Sequence, residues 1–258
     1  MKRVLVFLAI VWAGLCACES TSSSADYTST NTTQDAKKKQ PVEKITTLNE
    51  QNFRAVLAQY DKDNPETLVL LTTNLGDIKI KLYSQTPLHR ANFLRLVKAK
   101  FYDETVFYRV IKDFAIQAGN SDRPKLKTLK KKLGSGYRVP AELNPTQLYH
   151  KKGALAMARE YDNNPEKASV PYDFYIVKGK VFSQAELSQV AQQSKISFSA
   201  EQTKIYTTLG GTPHLDGMHT VFGEAVEGLE IIDKISQQPT DKSDWPMEEV
   251  TIKMTVLE

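Results

Sequence analysis

The sequence predicts a mainly β domain built on a single sheet that is closed, or nearly closed, on itself. Two observations lead to this prediction. From Thr67 to the end of the chain, many short apolar segments of strand type follow one another, separated by turn residues. Only two longer segments in this range have the apolar spacing of a main helix, and they do not alternate with the strands as βαβ units require.

Length and composition are sufficient for a core of this kind. The chain has 258 residues, of which 41% are hydrophobic, with 11 Tyr and 10 Phe. Its net charge of +4 falls to +2 without residues 1–17, because that segment carries Lys2 and Arg3 and no acid. So small a charge gives no support for nucleic-acid binding. The basic run from Arg123 to Lys132 lacks interleaved aromatic residues and is predicted to be a solvated loop.

The first 17 residues are predicted to be a signal peptide. Lys2 and Arg3 precede an apolar run from Val4 to Leu15, which is too short for a membrane-spanning helix. The two cysteines of the chain, Cys16 and Cys18, lie directly after this run. No disulfide is therefore expected in the folded part.

The segment Leu15-Cys16-Ala17-Cys18 resembles the lipobox of bacterial lipoproteins. The resemblance implies that Cys18 is lipidated and anchors the protein to a membrane of the cell envelope. The domain would face the periplasm or the outside of a bacterium with an outer membrane. The alternative is an ordinary cleaved signal peptide with incidental cysteines.

Two short segments are predicted to lie between the anchor and the β domain. Residues 18–45 form the lipidated cysteine and a disordered tether, because this stretch is rich in Ser and Thr and has no apolar periodicity. Residues 46–66 form an N-terminal helical extension, whose apolar residues have helical spacing and which ends at Asn64-Pro65. The β domain itself is predicted to cover residues 67–258.

The first half of this domain begins with a hairpin and a helix. Ile78, Ile80 and Leu82 alternate with polar residues, and the segment Asn74 to Asp77 is typical of a turn. The segment TPLHRANFLRLVKAKFY then has Pro87 near a helix start and apolar residues on one face. Next, TVFYRVIKDFAIQAGN predicts two strands that meet at Lys112-Asp113.

The second half supplies four more strands, one helix and an insertion. The strands are predicted in KKGALAMAR, PYDFYIVKG, HTVFGEAV and EVTIKMTVLE, and the helix in EGLEIIDKISQQ. The stretch of about residues 183–211 is polar, has helical propensity and carries a thin apolar face. It is therefore predicted to be a helical insertion between strands.

Four of these segments together resemble the cyclophilin family of peptidyl-prolyl cis-trans isomerases. They are TVFYRVIKDFAIQAG, KKGALAMAR, DFYIV and HLDGMHTVFGEAVEGLEIIDKI, in this order along the chain. The resemblance extends over roughly residues 67–258. It implies a closed, eight-stranded antiparallel β-barrel capped by two helices.

The resemblance also implies a substrate site, a shallow groove on the outside of the barrel. Arg109 and Gln117 match the family's catalytic positions at the polar edge of a proline pocket. The matched substrate-binding positions are Phe114, Ala115, Met157, Ala158, Tyr175, His214, Leu215 and His219.

Several positions differ from the best-known eukaryotic members of the family. Tyr175 adds a hydroxyl where phenylalanine is common, and Ala115 opens the pocket floor where methionine is common. His214 stands in place of a tryptophan, so weak cyclosporin binding is expected. Asp173 replaces a glutamine that orients the substrate, and Arg159 replaces a groove asparagine.

The chemistry explains why an arginine stands in an apolar motif. Rotation about an Xaa-Pro bond meets a barrier of about 18–20 kcal/mol, and no covalent bond changes, so no nucleophile, metal or cofactor is needed. The twisted prolyl nitrogen gains a lone pair. A fixed guanidinium that donates to that nitrogen stabilises the twisted state and not the planar one.

The expected partners are proline-containing polypeptides, among them newly exported chains, and the protein is expected to be a monomer. Two rival interpretations remain open at this point. A proline-binding or chaperone module would bind peptides with little catalysis, and Asp173 and Ala115 favour it. A purely structural envelope lipoprotein would bind no peptide at all.

Overall fold

The computed structural model describes residues 46–257. The predicted signal peptide, Cys18 and the tether of residues 18–45 lie outside the described residues. Eight strands form where the sequence predicted them, and all pair in antiparallel fashion. They are β1 Leu68–Thr73, β2 Gly76–Leu82, β3 Val106–Ile111, β4 Ala115–Asn120, β5 Ala154–Met157, β6 Phe174–Val177, β7 Val221–Glu227 and β8 Lys253–Val256.

The sheet is a curled half-barrel and not the closed barrel that the resemblance implied. Its strand order is β3-β4-β6-β5-β7-β2-β1-β8, so β3 and β8 are the two edges. Between these edges the described chain has an isolated bridge, Val106 to Thr251, in place of a ladder. The segment that faces β3 before β8 contains Pro246, which has no N–H to donate to a ladder.

The core lies inside the curl of the sheet. The inward residues of the β1–β2 hairpin alternate with exposed ones, as a half-buried pair of strands requires. Helices α2, Pro87–Lys98, and α6, Leu229–Ser236, pack their apolar faces into the same core. Phe93 of α2 contacts Phe174 and Phe222 in edge-on ring pairs. This packing fixes the strands that carry the candidate site.

The N-terminal extension forms the predicted helix, α1, Phe53–Asp63. It packs beside α2 in a separate apolar cluster that includes Leu57 and Ala91. Asp61 of α1 forms an ion pair with Arg90 of α2 at 2.7 Å.

The basic run is a helix, so the predicted solvated loop is wrong. Helix α3, Pro124–Leu133, begins with a proline in its first turn, where the missing N–H costs nothing. Leu126 and Leu133, two turns apart, are buried on one face, while lysines occupy the others. The burial of the two leucines on one helix face thus stabilises a helix in spite of the high density of lysines.

The predicted insertion is helical. It contains α4, Gln184–Ser194, and α5, Ala200–Thr208, each opened by a capping box. Tyr206 of α5 is fully buried in a small cluster with Phe182 and Leu187. No helix within residues 46–257 is both long enough and apolar enough to cross a membrane.

Candidate active site

Arg109 lies on the outer face of the β3–β4 hairpin. It pairs in register with Gln117, so both side chains lie on the same part of the sheet. Its neighbour Val110 is buried, whereas the Arg109 side chain is 44% exposed. Its Nε lies 3.4 Å from Oδ2 of Asp244. The guanidinium in this apolar motif therefore carries little of the cost of a buried charge.

A pocket of about 250 Å³ opens beside Arg109. Ala115 of β4 and Tyr175 of β6 are almost fully buried at its base, and Phe114 and Leu215 pack against the same small apolar cluster. The lining residues are Arg109, Ile111, Phe114, Ala115, Gln117, Ala158, Arg159, Tyr161, Tyr175, Leu215 and His219. The pocket thus combines an apolar floor with a charged and polar rim.

Gln117 is oriented by a short chain of hydrogen bonds along the rim. Its Nε2 donates to the hydroxyl of Tyr108, and that hydroxyl donates to Oδ2 of Asp173 at 3.3 Å. Burial raises the pKa of the Asp173 carboxyl above its ordinary value, although the nearby Lys130 opposes this effect. Because Nε2 is engaged, the Oε1 of Gln117 is left to accept a hydrogen bond from a ligand.

His219 forms a neutral wall of the pocket. The Tyr161 hydroxyl lies 2.8 Å from its Nε2, and the Met157 carbonyl lies 3.3 Å from its Nδ1. Burial lowers the pKa of His219 to about 4, and electrostatic contributions from His150 and Arg159 act in the same direction. Since a carbonyl can only accept, Nδ1 carries the ring proton, and Tyr161 donates to Nε2.

A buried hydrogen-bond network connects the pocket floor to the insertion. The Tyr175 hydroxyl lies 3.0 Å from Nε2 of His150, and Nδ1 of the same ring lies 3.0 Å from Oδ1 of Asp216. Tyr206 of α5 donates its hydroxyl to Oδ2 of Asp216 at 2.6 Å. Burial raises the pKa of Tyr175 well above its ordinary value, so this hydroxyl stays protonated. The insertion therefore helps to position a residue of the pocket.

The structure brings most of the predicted site residues to this one pocket. Those that line it are Arg109, Gln117, Phe114, Ala115, Ala158, Tyr175, Leu215 and His219. Met157 and His214 do not line it. Met157 is fully buried in the main core, because successive residues of β5 face opposite sides of the sheet and Ala156 has the pocket side. His214 stacks on Phe114, with ring centroids 5.9 Å apart.

Three further residues line the pocket: Arg159, which the resemblance placed in the groove, and Ile111 and Tyr161, which were not predicted. Ile111 lies two residues after Arg109 on the same strand, so the period of two in β3 could have indicated it. Tyr161 lies in the loop after β5, where no periodic pattern indicates which way a side chain points. Among residues 46–257, no three His, Cys, Asp or Glu side chains are arranged to hold a metal ion.

The family model for "Cyclophilin type peptidyl-prolyl cis-trans isomerase/CLD" matches residues 68–256. A Staphylococcus aureus (strain USA300) protein, named provisionally as a peptidyl-prolyl cis-trans isomerase, is 32% identical over 189 residues, which are 73% of this chain and 90% of that protein. The peptidyl-prolyl cis-trans isomerase-like 2 of Rhizopus delemar is 29% identical over 195 residues, 75% of this chain. The match spans only 29% of the Rhizopus protein.

The solved structures that the fold resembles are isomerases of the same type. A Cryptosporidium parvum cyclophilin type peptidyl-prolyl cis-trans isomerase is similar with a TM-score of 0.54 and 26% identity, over 75% of this chain and 98% of that chain. The structure of the same isomerase in the presence of the dipeptide Ala-Pro is similar with a TM-score of 0.53 and 25% identity, over 74% of this chain and 99% of that one.

Proposed function

The chain belongs to the cyclophilin-type peptidyl-prolyl cis-trans isomerases, and on this basis we propose that its pocket holds the proline ring of an Xaa-Pro substrate. The apolar floor made by Phe114, Ala115, Tyr175 and Leu215 suits the ring methylene groups of proline. A related structure was determined in the presence of Ala-Pro, a dipeptide that carries this ring. The reaction is the rotation of the Xaa-Pro bond in polypeptide chains.

Arg109 is proposed to be the electrostatic centre of catalysis. As the amide twists, the prolyl nitrogen gains a lone pair that can accept a hydrogen bond. A guanidinium donates to this lone pair only in the twisted state, which is the differential binding that catalysis requires. A charge-assisted hydrogen bond contributes roughly 1.5–3 kcal/mol, and each 1.36 kcal/mol removed from the barrier gives about a tenfold rate increase.

The observation that carries this proposal is the position of Arg109 at the open rim of an apolar pocket. The ion pair with Asp244 is long, at 3.4 Å, and both side chains are more than two-fifths exposed. Such a pair contributes little, so the guanidinium can turn towards a bound substrate.

Gln117 and His219 are proposed to orient the substrate. Oε1 of Gln117 can accept from a backbone N–H of the peptide, since its amide nitrogen is already bonded to Tyr108. The neutral ring of His219 forms an apolar wall and adds no charge of its own to the pocket.

The N-terminal residues support a proposal about location. A signal peptide over residues 1–17 and a lipidated Cys18 would place a monomeric domain in the cell envelope, where exported chains are its substrates. Membrane fractionation of cells that express the full chain or Cys18→Ala tests this. The full chain is expected in the membrane fraction and the variant outside it, and equal distribution of both would contradict lipid anchoring.

The isomerase proposal is tested by NMR exchange spectroscopy of an Xaa-Pro peptide with the full chain. Cis-to-trans exchange is expected to accelerate, and Phe114→Ala, which removes an apolar wall, is expected to raise KM. Phe198→Ala is the matched control, because Phe198 is also half-buried but packs in the cluster of the insertion. Peptide binding without faster exchange would instead indicate a binding module.

A further inference from the structure

Two guanidinium groups line the pocket, and none of its lining residues is acidic. Arg109 has a carboxylate partner in Asp244. Arg159, on the opposite side, takes part in none of the ion pairs within residues 46–257. Its positive charge is therefore not neutralised by the part of the protein that the structure describes.

Arg159 is held in place by neutral contacts. Its Nε donates to the carbonyl of Met218 at 2.8 Å, and its Cζ lies 4.1 Å from the ring centroid of Tyr161. Nη1 lies 3.4 Å from the carbonyl of Glu160. These contacts restrict the side chain before a ligand arrives, so less entropy is lost on binding. They engage two of the three guanidinium nitrogens and leave Nη2 for a further acceptor.

The neighbouring acids do not satisfy this group. The Glu160 carboxylate forms an ion pair with Arg138 instead. Asp216, beneath the floor, is buried and already accepts from His150 and Tyr206. Lys167 adds a further positive charge nearby, because its Nζ donates to the Gly217 carbonyl at 2.9 Å, one residue before Met218. Arg159 and Lys167 are thus two positive side chains on this side of the pocket that form no ion pair within residues 46–257.

We infer that the enzyme prefers Xaa-Pro substrates with an acidic side chain next to the proline, and that the guanidinium of Arg159 binds this carboxylate. The inference rests on the proposed function, because it assumes that the proline ring occupies the pocket. Arg159 follows Ala158 of the lining directly in the chain. Adjacent residues of an extended peptide lie about 3.3 Å apart along the chain, so a Glu beside the proline is within reach of this guanidinium. A carboxylate matches the planar donors of arginine better than any neutral side chain does.

The test uses peptides that differ only beside the proline, with Glu, Gln or Lys before it or after it. For the full chain, kcat/KM from NMR exchange is expected to be about 3- to 30-fold higher for Glu than for Gln at one of the two positions, and lowest for Lys. The preference is expected to shrink at high salt, because the pocket is open to solvent.

Three variants assign the preference to Arg159. Arg159→Gln is expected to bring the Glu-to-Gln ratio to about one, and Arg159→Lys to keep part of it because the charge remains. Arg54→Gln is the matched control, since Arg54 also lies over an aromatic ring, at 5.3 Å from the Phe53 centroid, but on α1. This control is expected to keep the full ratio.

The failure of this inference can be told apart from the failure of the proposed function. Acceleration of all peptides without a Glu preference, or a preference that survives Arg159→Gln, overturns the inference and leaves the isomerase intact. Absence of acceleration for every peptide overturns the isomerase. In that case the affinities of the same peptides, measured by chemical-shift titration, decide the inference, because equal affinity for Glu and Gln peptides contradicts it.

Discussion

His219 shows how burial sets the chemistry of one side chain in the pocket. The residue is 7% exposed, Arg159 and the imidazole of His150 lie near it, and its two hydrogen bonds go to neutral groups. A charged imidazole would repel the guanidinium groups of Arg109 and Arg159 that line the same pocket, whereas a neutral imidazole offers an apolar face. Burial therefore suits this histidine to the proposed contact with a proline ring and not to proton transfer.

The low pKa of His219 predicts a pH dependence of stability. Its pKa is about 4 in the folded chain against an ordinary value of 6.5, so the unfolded chain takes up the proton first. The contribution of His219 to the free energy of unfolding is expected to be complete above pH 6.5 and to be lost as the pH drops towards 4. NMR titration of the ring is expected to give a midpoint near 4, and a midpoint of 6 or above would contradict this assignment.

The hydroxyl of Tyr175 is predicted to stabilise the fold through His150. Tyr175→Phe leaves Nε2 of a fully buried ring without its partner, and we expect a loss of about 1–3 kcal/mol in urea denaturation. Tyr161→Phe is the control, because it also removes a hydroxyl from a histidine ring. Tyr161 is 62% exposed, so water can replace it and the loss is expected to stay within about 0.5 kcal/mol. Equal stability of Tyr175→Phe and the wild type would show that the network contributes nothing.

Strand β4 illustrates how one element serves the core and the site together. Ile116 and Ala118 are fully buried in the main core, whereas Ala115 and Gln117 line the pocket. This division follows directly from strand geometry, because successive side chains point to opposite faces of the sheet. The same alternation in β5 places Met157 in the core and not in the pocket where it was predicted. In a strand, a shift of one residue moves a side chain to the opposite face of the sheet.

Gly119 at the end of β4 is predicted to tolerate no side chain. Its φ is +107°, and a Cβ there would lie 2.3 Å from the backbone carbonyl oxygen of Tyr172. Gly119→Ala is expected to cost more than about 2 kcal/mol, because neither the strained φ nor the backbone contact can relax. In Gly136→Ala, the control, a Cβ meets nothing within 4 Å, and its stability is expected to be unchanged or slightly higher. Thermal denaturation of both variants decides, and similar melting temperatures would contradict the account.

For the molecule as a whole, the sequence predicted the strands better than their closure. Each strand follows from local alternation, but the meeting of β3 and β8 depends on residues far apart in the chain and on Pro246 between them. Helix α3 was not predicted, because the dense lysines of the run favour a solvated loop and only the spacing of Leu126 and Leu133 indicates a buried helix face.

The residues of the site also fall into a group that the sequence indicates and a group that it does not. Arg109, Gln117 and His219 stand in segments that resemble known motifs, so they were predicted. His150 and Asp216 were not assigned to the site, because their role depends on contacts between three distant parts of the chain. Such contacts leave no periodic or motif signal in the sequence.

The most direct test of the whole account compares Arg109→Ala with the wild type in both peptide affinity and NMR exchange. Because Arg109 is proposed to bind the twisted state, kcat is expected to fall about 10- to 100-fold while peptide affinity changes little. Arg123→Ala, which removes another guanidinium from an exposed ion pair with Glu249, serves as the control and is expected to keep full activity. If Arg109→Ala keeps the exchange rate, or loses affinity and rate in equal measure, Arg109 does not stabilise the twisted amide and the account is wrong.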